Sequence, residues 1–313
     1  MTRRQRIKLG EYHYKWDRSR KPVVSVKPGD EVTFEINEVS SWQINEHSTV
    51  EALKTFDDSK LYPLSGPVYV EGAKPGDALR IEVLSVKPGD FGWTAIIPGL
   101  GLLEEFQDYY LHIWNLRNKR NVSFKKGIRI PLRPFCGVMG VAPAAKGSFE
   151  VTPPGSNGGN MDVRHLTVGS VLELPVWVDG ALFSTGDLHA AMGDGEVCVS
   201  AIECAGVARY RFGLIKGARL KWPRFYTPGD PRPRRGFYVA TGIADDLLAA
   251  TKESVRNMLG YLTDRYDLSR EEAYVLCSVA SDIRVHEVVD RPNWVVGTAI
   301  SLDCLPRQRS SAR

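Results

Sequence analysis

The sequence lacks any apolar run of the roughly 20 residues that a helix needs to cross a membrane. Its basic first segment, MTRRQRIKLGEYHYKW, is followed by no apolar stretch of the kind that marks a secretory signal. We therefore expect a cytoplasmic protein with no membrane partner.

Cysteine is also scarce, with five in 313 residues and no C-x-x-C pair. The odd count and the apolar flanks, such as VCV and VLCS, argue against a disulfide framework and favour reduced, mostly buried thiols. Cys136 in PLRPFCGVMG stands beside a glycine, which leaves a nucleophilic role open. A small core residue is the favoured interpretation.

The basic excess is confined to the two ends of the chain. The net charge is +4, yet residues 2–8 and 307–313 hold seven positive charges and no acid, which leaves −3 on the rest. A nucleic-acid binder carries its basic surface on the folded body. The remaining basic cluster, RPRR at 232–235, contains proline and predicts a solvated loop, so we expect no nucleic-acid partner.

Short strands separated by Gly/Pro turns dominate what is present. VKPGDEVTFEINE (26–38) resembles AKPGDALRIEVLS (73–85), and in each a Pro-Gly-Asp turn precedes an alternating run. SVKPGDFGWT (85–94) repeats the turn, and TVGSVLELPVWVDG (167–180) repeats the strand. This pattern predicts a mainly β sandwich or barrel, and the repeat suggests a duplicated half.

One region has helical spacing instead. Apolar residues recur every three or four positions in 241–282, and Ser269 with Glu272 forms a capping-box sequence. We predict a C-terminal helical hairpin over about 242–281, followed by a strand at 283–290. A single domain would span 11–306, between a basic N-terminal tail (1–10) and a basic C-terminal tail (307–313), both predicted to be disordered.

The segment GALFSTGDLHAAMGDGEVCVSAIE (180–203) carries the first candidate site. Residues i and i+2 of a strand face the same side, so Asp187 can meet His189. Asp194 and Glu196 have the same spacing after a turn, at the predicted start of a strand. Carboxylates with an imidazole suit Zn²⁺ or a similar divalent ion, although turn-forming aspartates remain an equal alternative.

A second stretch, PPGSNGGNMDVRHLTVGS (153–170), is rich in glycine around Asp162 and His165. A loop of this composition is either flexible or shapes a site. Asp162 is a candidate metal ligand and Asn160 a candidate polarising donor. His165 is at least as well explained as a structural residue that bonds a loop carbonyl.

These motifs resemble the acetamidase/formamidase family over about residues 11–305. The matching pieces include HYKWDRS (13–19), GPVYVEGAKPGDALRIEV (66–83), FGWTAIIPGLGLL (91–103) and PFCGVMGVAP (134–143). PPG-x-x-GGNMD and GALFS-x-GD-x-HAA-x-GDGE are the most specific. The resemblance implies a duplicated jelly-roll-like β-sandwich that hydrolyses formamide, acetamide and related short amides to ammonia and a carboxylate.

The resemblance also implies a divalent metal, zinc by expectation, near the GD-x-HAA turn. The implied ligands are Asp187 and His189, with Asp162 and Glu196 close by. We expect Glu196 to act as general acid and base, with Asp194 as its competitor. The remaining expected roles are oxyanion donation by the backbone of Gly158, Gly159 and Asn160, and substrate contacts from Trp93 and Phe183. For these two aromatics a place in the core is the favoured alternative.

The chain departs from the family pattern at Leu188 and Met192, where relatives often have Gly and Gln, and at Asn37-Glu38, where they often have Asp-Ala. The first two keep open an alternative, hydrolysis of cyclic amides or lactams. A third hypothesis is a jelly-roll module that binds without turnover. We expect a homo-oligomer, a dimer or larger, because sheet edges and the hairpin offer surfaces for association.

Overall fold

A computed structural model describes residues 2–228, 235–287, 292 and 294–307. The chain divides into two compact units. The first unit comprises Met1–Gly92, Arg133–Ala190 and Glu203–Gly229, and the second comprises Trp93–Leu132, Ala191–Ile202 and Asp230–Arg313.

Besides three short 3-10 helices (Val50–Thr55, Asp58–Lys60 and Leu302–Cys304), the described part of the chain contains twenty strands and two α-helices. In chain order they are β1 (Arg4–Ile7), β2 (Tyr12–His13), β3 (Val24–Val26), β4 (Glu31–Ile36), β5 (Leu64–Val70), β6 (Ala78–Pro88), β7 (Phe91–Ile96), β8 (Tyr110–Asn115), β9 (Asn121–Ser123), β10 (Arg129–Pro131), β11 (Phe135–Gly140), β12 (Gly158–Asn160), β13 (Val171–Pro175), β14 (Phe183–His189), β15 (Glu203–Cys204), β16 (Gly206–Ile215), β17 (Arg224–Tyr226), β18 (Phe237–Ala244), α1 (Leu247–Arg265), α2 (Arg270–Ala280), β19 (Ser281–Glu287) and β20 (Trp294–Ser301).

The first unit contains a six-stranded sheet with the order β1-β4-β16-β6-β13-β17. The two Pro-Gly-Asp turns lead into β4 and β6, as predicted. Along β4 the side chains of Val32, Phe34 and Ile36 are fully buried while the intervening residues are partly exposed. This alternation buries one face of the sheet.

A second group of strands in this unit has the order β12-β11-β14-β15, and β5 pairs with β14, β2 and β3. An aromatic core joins it to the six-stranded sheet. The ring of Phe183 in β14 lies 6.0 Å from those of Phe34 and Tyr210 and 5.5 Å from that of Phe212. The mainly β fold is confirmed, and the jelly-roll connectivity and the duplication stay predictions.

The N-terminal segment is not a disordered tail. Residues 4–7 form β1, which pairs in parallel with β4. Arg4 lies 3.1 Å from the Glu31 carboxylate, and Arg6 lies 2.6 Å from that of Glu35. Arg211 of β16 adds a 2.9 Å contact to Glu31. The prediction was wrong because the acids that pair with these arginines lie in β4, some 27 residues further along the chain.

The second unit contains a three-stranded sheet, β18-β20-β19, together with α1 and α2. The capping box at Ser269 and Glu272 is confirmed. The predicted hairpin begins too early, because residues 242–244 continue β18 and Asp246 caps α1 through the backbone N–H of Ala249. β19 matches the predicted strand to residue 287; residues 288–290, 231–234 and 308–313 lie outside the described residues.

The second unit also contains a β9–β10 hairpin and the strand β8, which neighbours β7. Of β7, residues 93–96 belong to this unit and residues 91–92 to the first. All five cysteines of the chain are buried and free, as predicted. Within the part of the chain that the structure describes, neither helix is both long enough and apolar enough to cross a membrane.

We predict that Glu31→Ala destabilises the protein by about 1–3 kcal/mol. The substitution removes a buried carboxylate that Arg4, Arg209 and Arg211 share as an ion-pair partner. Thermal unfolding measures the effect. The control is Glu51→Ala, which removes an exposed pair with Lys54 and should leave the melting temperature nearly unchanged. An equal fall in melting temperature in both variants would contradict the stabilising role of the Glu31 ion pairs.

Candidate metal centre

Asp187 and His189 close strand β14, and both side chains are almost fully buried. Asp187 Oδ1 lies 3.2 Å from His189 Nε2. The two groups meet as the sequence predicted, but the strand between them is not regular. Asp187 has a φ of 54°, a left-handed conformation that is uncommon outside glycine and that concentrates at functional sites.

Glu203 is a member of this group that the sequence analysis missed. It opens β15 directly opposite His189 on β14, and its Oε2 lies 3.0 Å from His189 Nε2. The side chain is buried. The available signal was an acid inside the otherwise apolar run VCVSAIECAGV, since a buried carboxylate requires a specific partner.

Asp162 approaches from the other side of His189, with Oδ1 4.0 Å from Nδ1. Its backbone is left-handed, with a φ of 47°, and its N–H donates to the Gly137 carbonyl at 3.3 Å. Gly137 of β11 lies beneath the group. A Cβ on Gly137 would lie 2.3 Å from Asp162 Oδ1, 2.8 Å from Asp187 Oδ2 and 3.0 Å from His189 Cε1. The missing side chain therefore leaves a cradle bounded by two carboxylates and an imidazole.

Burial and mutual repulsion shape the protonation of these groups. Burial and, to a smaller extent, the nearby Asp187 carboxylate raise the pKa of Asp162 to about 6, against the opposing effect of His189. Burial lowers the pKa of His189, but Glu203 and Asp187 outweigh this and hold it well above its ordinary value. Three carboxylates thus share one imidazole, and the surplus negative charge favours the entry of a cation.

The residues present fit a divalent cation. Asp162 Oδ1 and Asp187 Oδ1 are buried, and neither accepts a geometrically sound hydrogen bond from any residue that the structure describes. Donor atoms on one zinc ion, with bonds of about 2.0–2.2 Å, can be at most about 4.4 Å apart. Asp162 Oδ1 lies within this limit of His189 Nδ1, at 4.0 Å, whereas the 3.2 Å contact of Asp187 Oδ1 is to the other ring nitrogen, Nε2. Oxygen and imidazole nitrogen are also ligands that zinc accepts.

The glycine-rich segment differs from the predicted loop. Gly158, Gly159 and Asn160 form strand β12, paired with β11. The Gly158 N–H donates to the Gly155 carbonyl at 3.0 Å, so this group is not available as an oxyanion donor. The same role for the backbone of Gly159 and Asn160 stays a prediction. Asn160 Oδ1 is buried and has no hydrogen-bond partner among the described residues, so a role for this side chain stays a prediction.

Asp194 and Glu196 belong to the second unit and do not begin a strand. The Asp194 carbonyl accepts the Ile283 N–H at 3.0 Å, and its N–H lies 3.3 Å from Asp282 Oδ1. Glu196 has a φ of 42°, so it is the third acidic residue of the candidate set, after Asp162 and Asp187, with a left-handed backbone conformation. The predicted proton-transfer roles of both residues stay predictions.

The two aromatic candidates are buried. Phe183 packs in the aromatic core of the first unit, which accounts for it without any substrate contact. Trp93 lies in β7 and is 4% exposed. Their assignment to the substrate stays a prediction.

Cys136 and Glu38, which the sequence analysis also considered, both have structural explanations. Burial raises the pKa of the Cys136 thiol to about 11, which disfavours a nucleophilic thiolate. Glu38 is fully buried, and its carboxylate accepts hydrogen bonds from the Ser40 N–H and hydroxyl and from the Trp42 N–H at 2.6–3.0 Å. It thereby closes a turn after β4.

Comparison with known proteins agrees with the motifs. The model of the acetamidase/formamidase family matches residues 2–151 and 144–306. An acetamidase from Mycolicibacterium smegmatis is 25% identical over 96% of this chain and 92% of its own length. A γ-lactamase from Delftia acidovorans has a TM-score of 0.91 at 25% identity, covering 98% and 95% of the two chains. An acetamidase from Bacillus halodurans has a TM-score of 0.68 at 34% identity, covering 95% and 97%.

We predict that Gly137→Ala lowers the affinity for Zn²⁺ by at least about 100-fold, because the new methyl group occupies the cradle. The melting temperature of the metal-free protein should change little, since the atoms that clash are the ends of side chains. Competition with a fluorescent chelator measures the affinity. Gly260→Ala, with open space around the new Cβ, is the control, and equal affinities in both variants would contradict the placement of the site.

We also predict that Asp162→Asn stabilises the metal-free protein at pH 7–8 by about 1–3 kcal/mol. The pKa of Asp162 in the folded protein, about 6, lies above its ordinary 3.8, so the folded state binds the proton more tightly and gains stability as the pH falls through 6 towards 4. The variant should lose this contribution, which denaturant titrations at several pH values measure. The surface variant Asp264→Asn should keep the wild-type dependence, and an Asp162→Asn profile identical to it would refute the assignment.

Proposed function

The chain belongs to the acetamidase/formamidase family, and we propose that it hydrolyses short linear amides, such as formamide and acetamide, to ammonia and a carboxylate at a divalent cation. The family and the relatives named acetamidase support the reaction. The convergence of Asp162, Asp187 and His189 on the cradle above Gly137 is the observation that carries the metal-dependent form of the proposal.

The proposed division of labour follows from the contacts of His189. Glu203 Oε2 lies 3.0 Å from Nε2 of the imidazole, and we propose that this charged contact orients the ring so that Nδ1, 4.0 Å from Asp162 Oδ1, faces the cation. Nδ1, Asp162 and Asp187 then hold the cation, for which zinc suits the donor set. When bound, such an ion lowers the pKa of a coordinated water and polarises the amide carbonyl.

Amide hydrolysis also requires a group that takes a proton from water and delivers it to the departing amine. We propose Glu196 for this role, with Asp194 as the alternative. The backbone hydrogen bonds of Asp194 to β19 hold that residue in place, while the left-handed backbone of Glu196 resembles that of Asp162 and Asp187. We propose that Asn160 assists by polarising the substrate.

Hydrolysis of cyclic amides is a second candidate, favoured by one observation. The fold is closer to that of the γ-lactamase than to that of the acetamidase from Bacillus halodurans, with TM-scores of 0.91 and 0.68. The two bulky apolar residues next to the motif, Leu188 and Met192, are both buried. A five-membered lactam is therefore the cyclic substrate to compare with acetamide.

We propose a cytoplasmic location, supported by five buried cysteines that are all free.

We also propose self-association as a dimer or larger. Phe237, Val239 and Ile243 alternate along β18 and are 38%, 39% and 59% exposed, which gives the sheet of the second unit an apolar outer face. Light scattering should show an oligomer that Ile243→Lys weakens.

The reaction is tested by ammonia release from formamide, acetamide and propionamide, and by formation of the ring-opened amino acid from a γ-lactam, because the amine of a lactam stays attached to its product. We expect turnover of the linear amides, its loss after chelation and its recovery on addition of Zn²⁺. Elemental analysis before and after chelation is the accompanying measurement. Full activity in metal-free protein would refute metal dependence, and ammonia release from none of the linear amides would refute the linear amidase.

We predict that Glu196→Gln lowers kcat for acetamide by about 10²–10⁴-fold while the bound metal is retained, as for the loss of a general acid–base group. Asp194→Asn should cost less than about tenfold on the same scale. Cys136→Ala is the control and should retain most of the activity. The reverse order of the two acidic variants would assign proton transfer to Asp194.

A further inference from the structure

Two motifs singled out in the sequence, HYKWDRS and GALFS, meet inside the first unit. His13 Nε2 lies 2.9 Å from the Ser184 hydroxyl, and His13 Nδ1 lies 2.9 Å from the Lys15 carbonyl. His13 is 5% exposed and Ser184 is 1% exposed. A buried contact between residues 171 positions apart in the chain ties β2 to β14.

The carbonyl partner fixes the direction of both hydrogen bonds. Because the Lys15 carbonyl can only accept, Nδ1 carries the proton and donates it. Nε2 therefore accepts, and the Ser184 hydroxyl donates to it. Burial lowers the pKa of His13 to about 4, so the imidazole stays neutral and this arrangement holds near neutral pH.

Ser184 stands at an irregularity in β14. The pairing of β14 with β5 joins Phe183 to Val68 and Thr185 to Ser65, so the register shifts between Phe183 and Thr185. β2 pairs with β5 next to this point, through Tyr12 and Ser65. The hydrogen bond from Ser184 to His13 thus spans β5 at the bulge.

The strand opposite the bulge makes room for the hydroxyl. A Cβ on Gly66 would lie 2.9 Å from Ser184 Oγ and 2.9 Å from the Phe183 carbonyl oxygen. Bulges bend a strand and redirect the side chains that follow, and they are common beside active sites. Asp187 and His189 follow Ser184 by three and five residues. A slip by one residue would turn both side chains to the opposite face of the sheet.

We propose that the His13–Ser184 hydrogen bond fixes the bulge in β14 and thereby aims Asp187 and His189 at the metal centre. His13 and Ser184 are positioning residues, because they act through β14 and do not touch the reacting atoms. The catalytic consequence rests on the proposed function, whereas the effect on the strand does not.

The experiment measures strand order and catalysis in Ser184→Ala, His13→Ala, the double variant and His13→Gln. In the single alanine variants we expect hydrogen–deuterium exchange in the peptide 183–190 to rise by about tenfold. The kcat for acetamide should fall by about tenfold with KM within about twofold. The double variant should be no worse than either single variant. His13→Gln should recover most of both losses, because its amide oxygen can accept the Ser184 hydroxyl.

His112 of β8 provides a matched control. It is half-buried, and burial lowers its pKa to about 4. Its ring packs against Trp114 and Phe124. His112→Gln should lower the melting temperature without changing kcat or exchange in peptide 183–190. Unchanged exchange in Ser184→Ala, or the same increase in His112→Gln, would overturn the proposal. If the wild type releases no ammonia from amides, the proposed function fails, and the exchange data still decide this inference.

Discussion

The constraint on which the rest of this structure depends is the burial of three carboxylates around one imidazole. Asp162, Asp187 and Glu203 surround His189 in an interior where an uncompensated charge is costly. A proton on His189 or Asp162 relieves part of that cost in the metal-free protein, and a divalent cation would relieve more. Such a concentration of like charge lowers stability, and a fold retains it where the site performs a function.

The surrounding fold is arranged to hold this group together. β11, β14 and β15 are neighbours in one sheet, so residues from three separate stretches of sequence arrive at the same point. Asp162 and Asp187 adopt left-handed backbone conformations, and Gly137 leaves the space between their oxygens unfilled. In the six-stranded sheet of the first unit, ion pairs such as Arg4–Glu31 tie β1 to β4.

The sequence predicted what depends on local spacing. The alternation along β4, the capping box at Ser269 and the meeting of Asp187 with His189 each rest on neighbours within a few residues. Glu203 was not predicted because its proximity to His189 results from the pairing of β15 with β14, which the spacing of residues in the sequence does not reveal. The basic N-terminal segment was misjudged for the same reason, since the acids that neutralise it belong to a distant strand. The donor capacity of Gly158 depends on a turn to Gly155 that composition alone does not fix.

The central claim is that Asp162, Asp187 and His189 grip one cation above Gly137. The most direct measurement is an anomalous difference map from a crystal of the protein soaked in Zn²⁺. We expect a single peak in the first unit, about 2.0–2.2 Å from an oxygen of each aspartate and from Nδ1 of His189. A map without a peak there, with the imidazole still 3.0–3.2 Å from the Asp187 and Glu203 carboxylates, would contradict it.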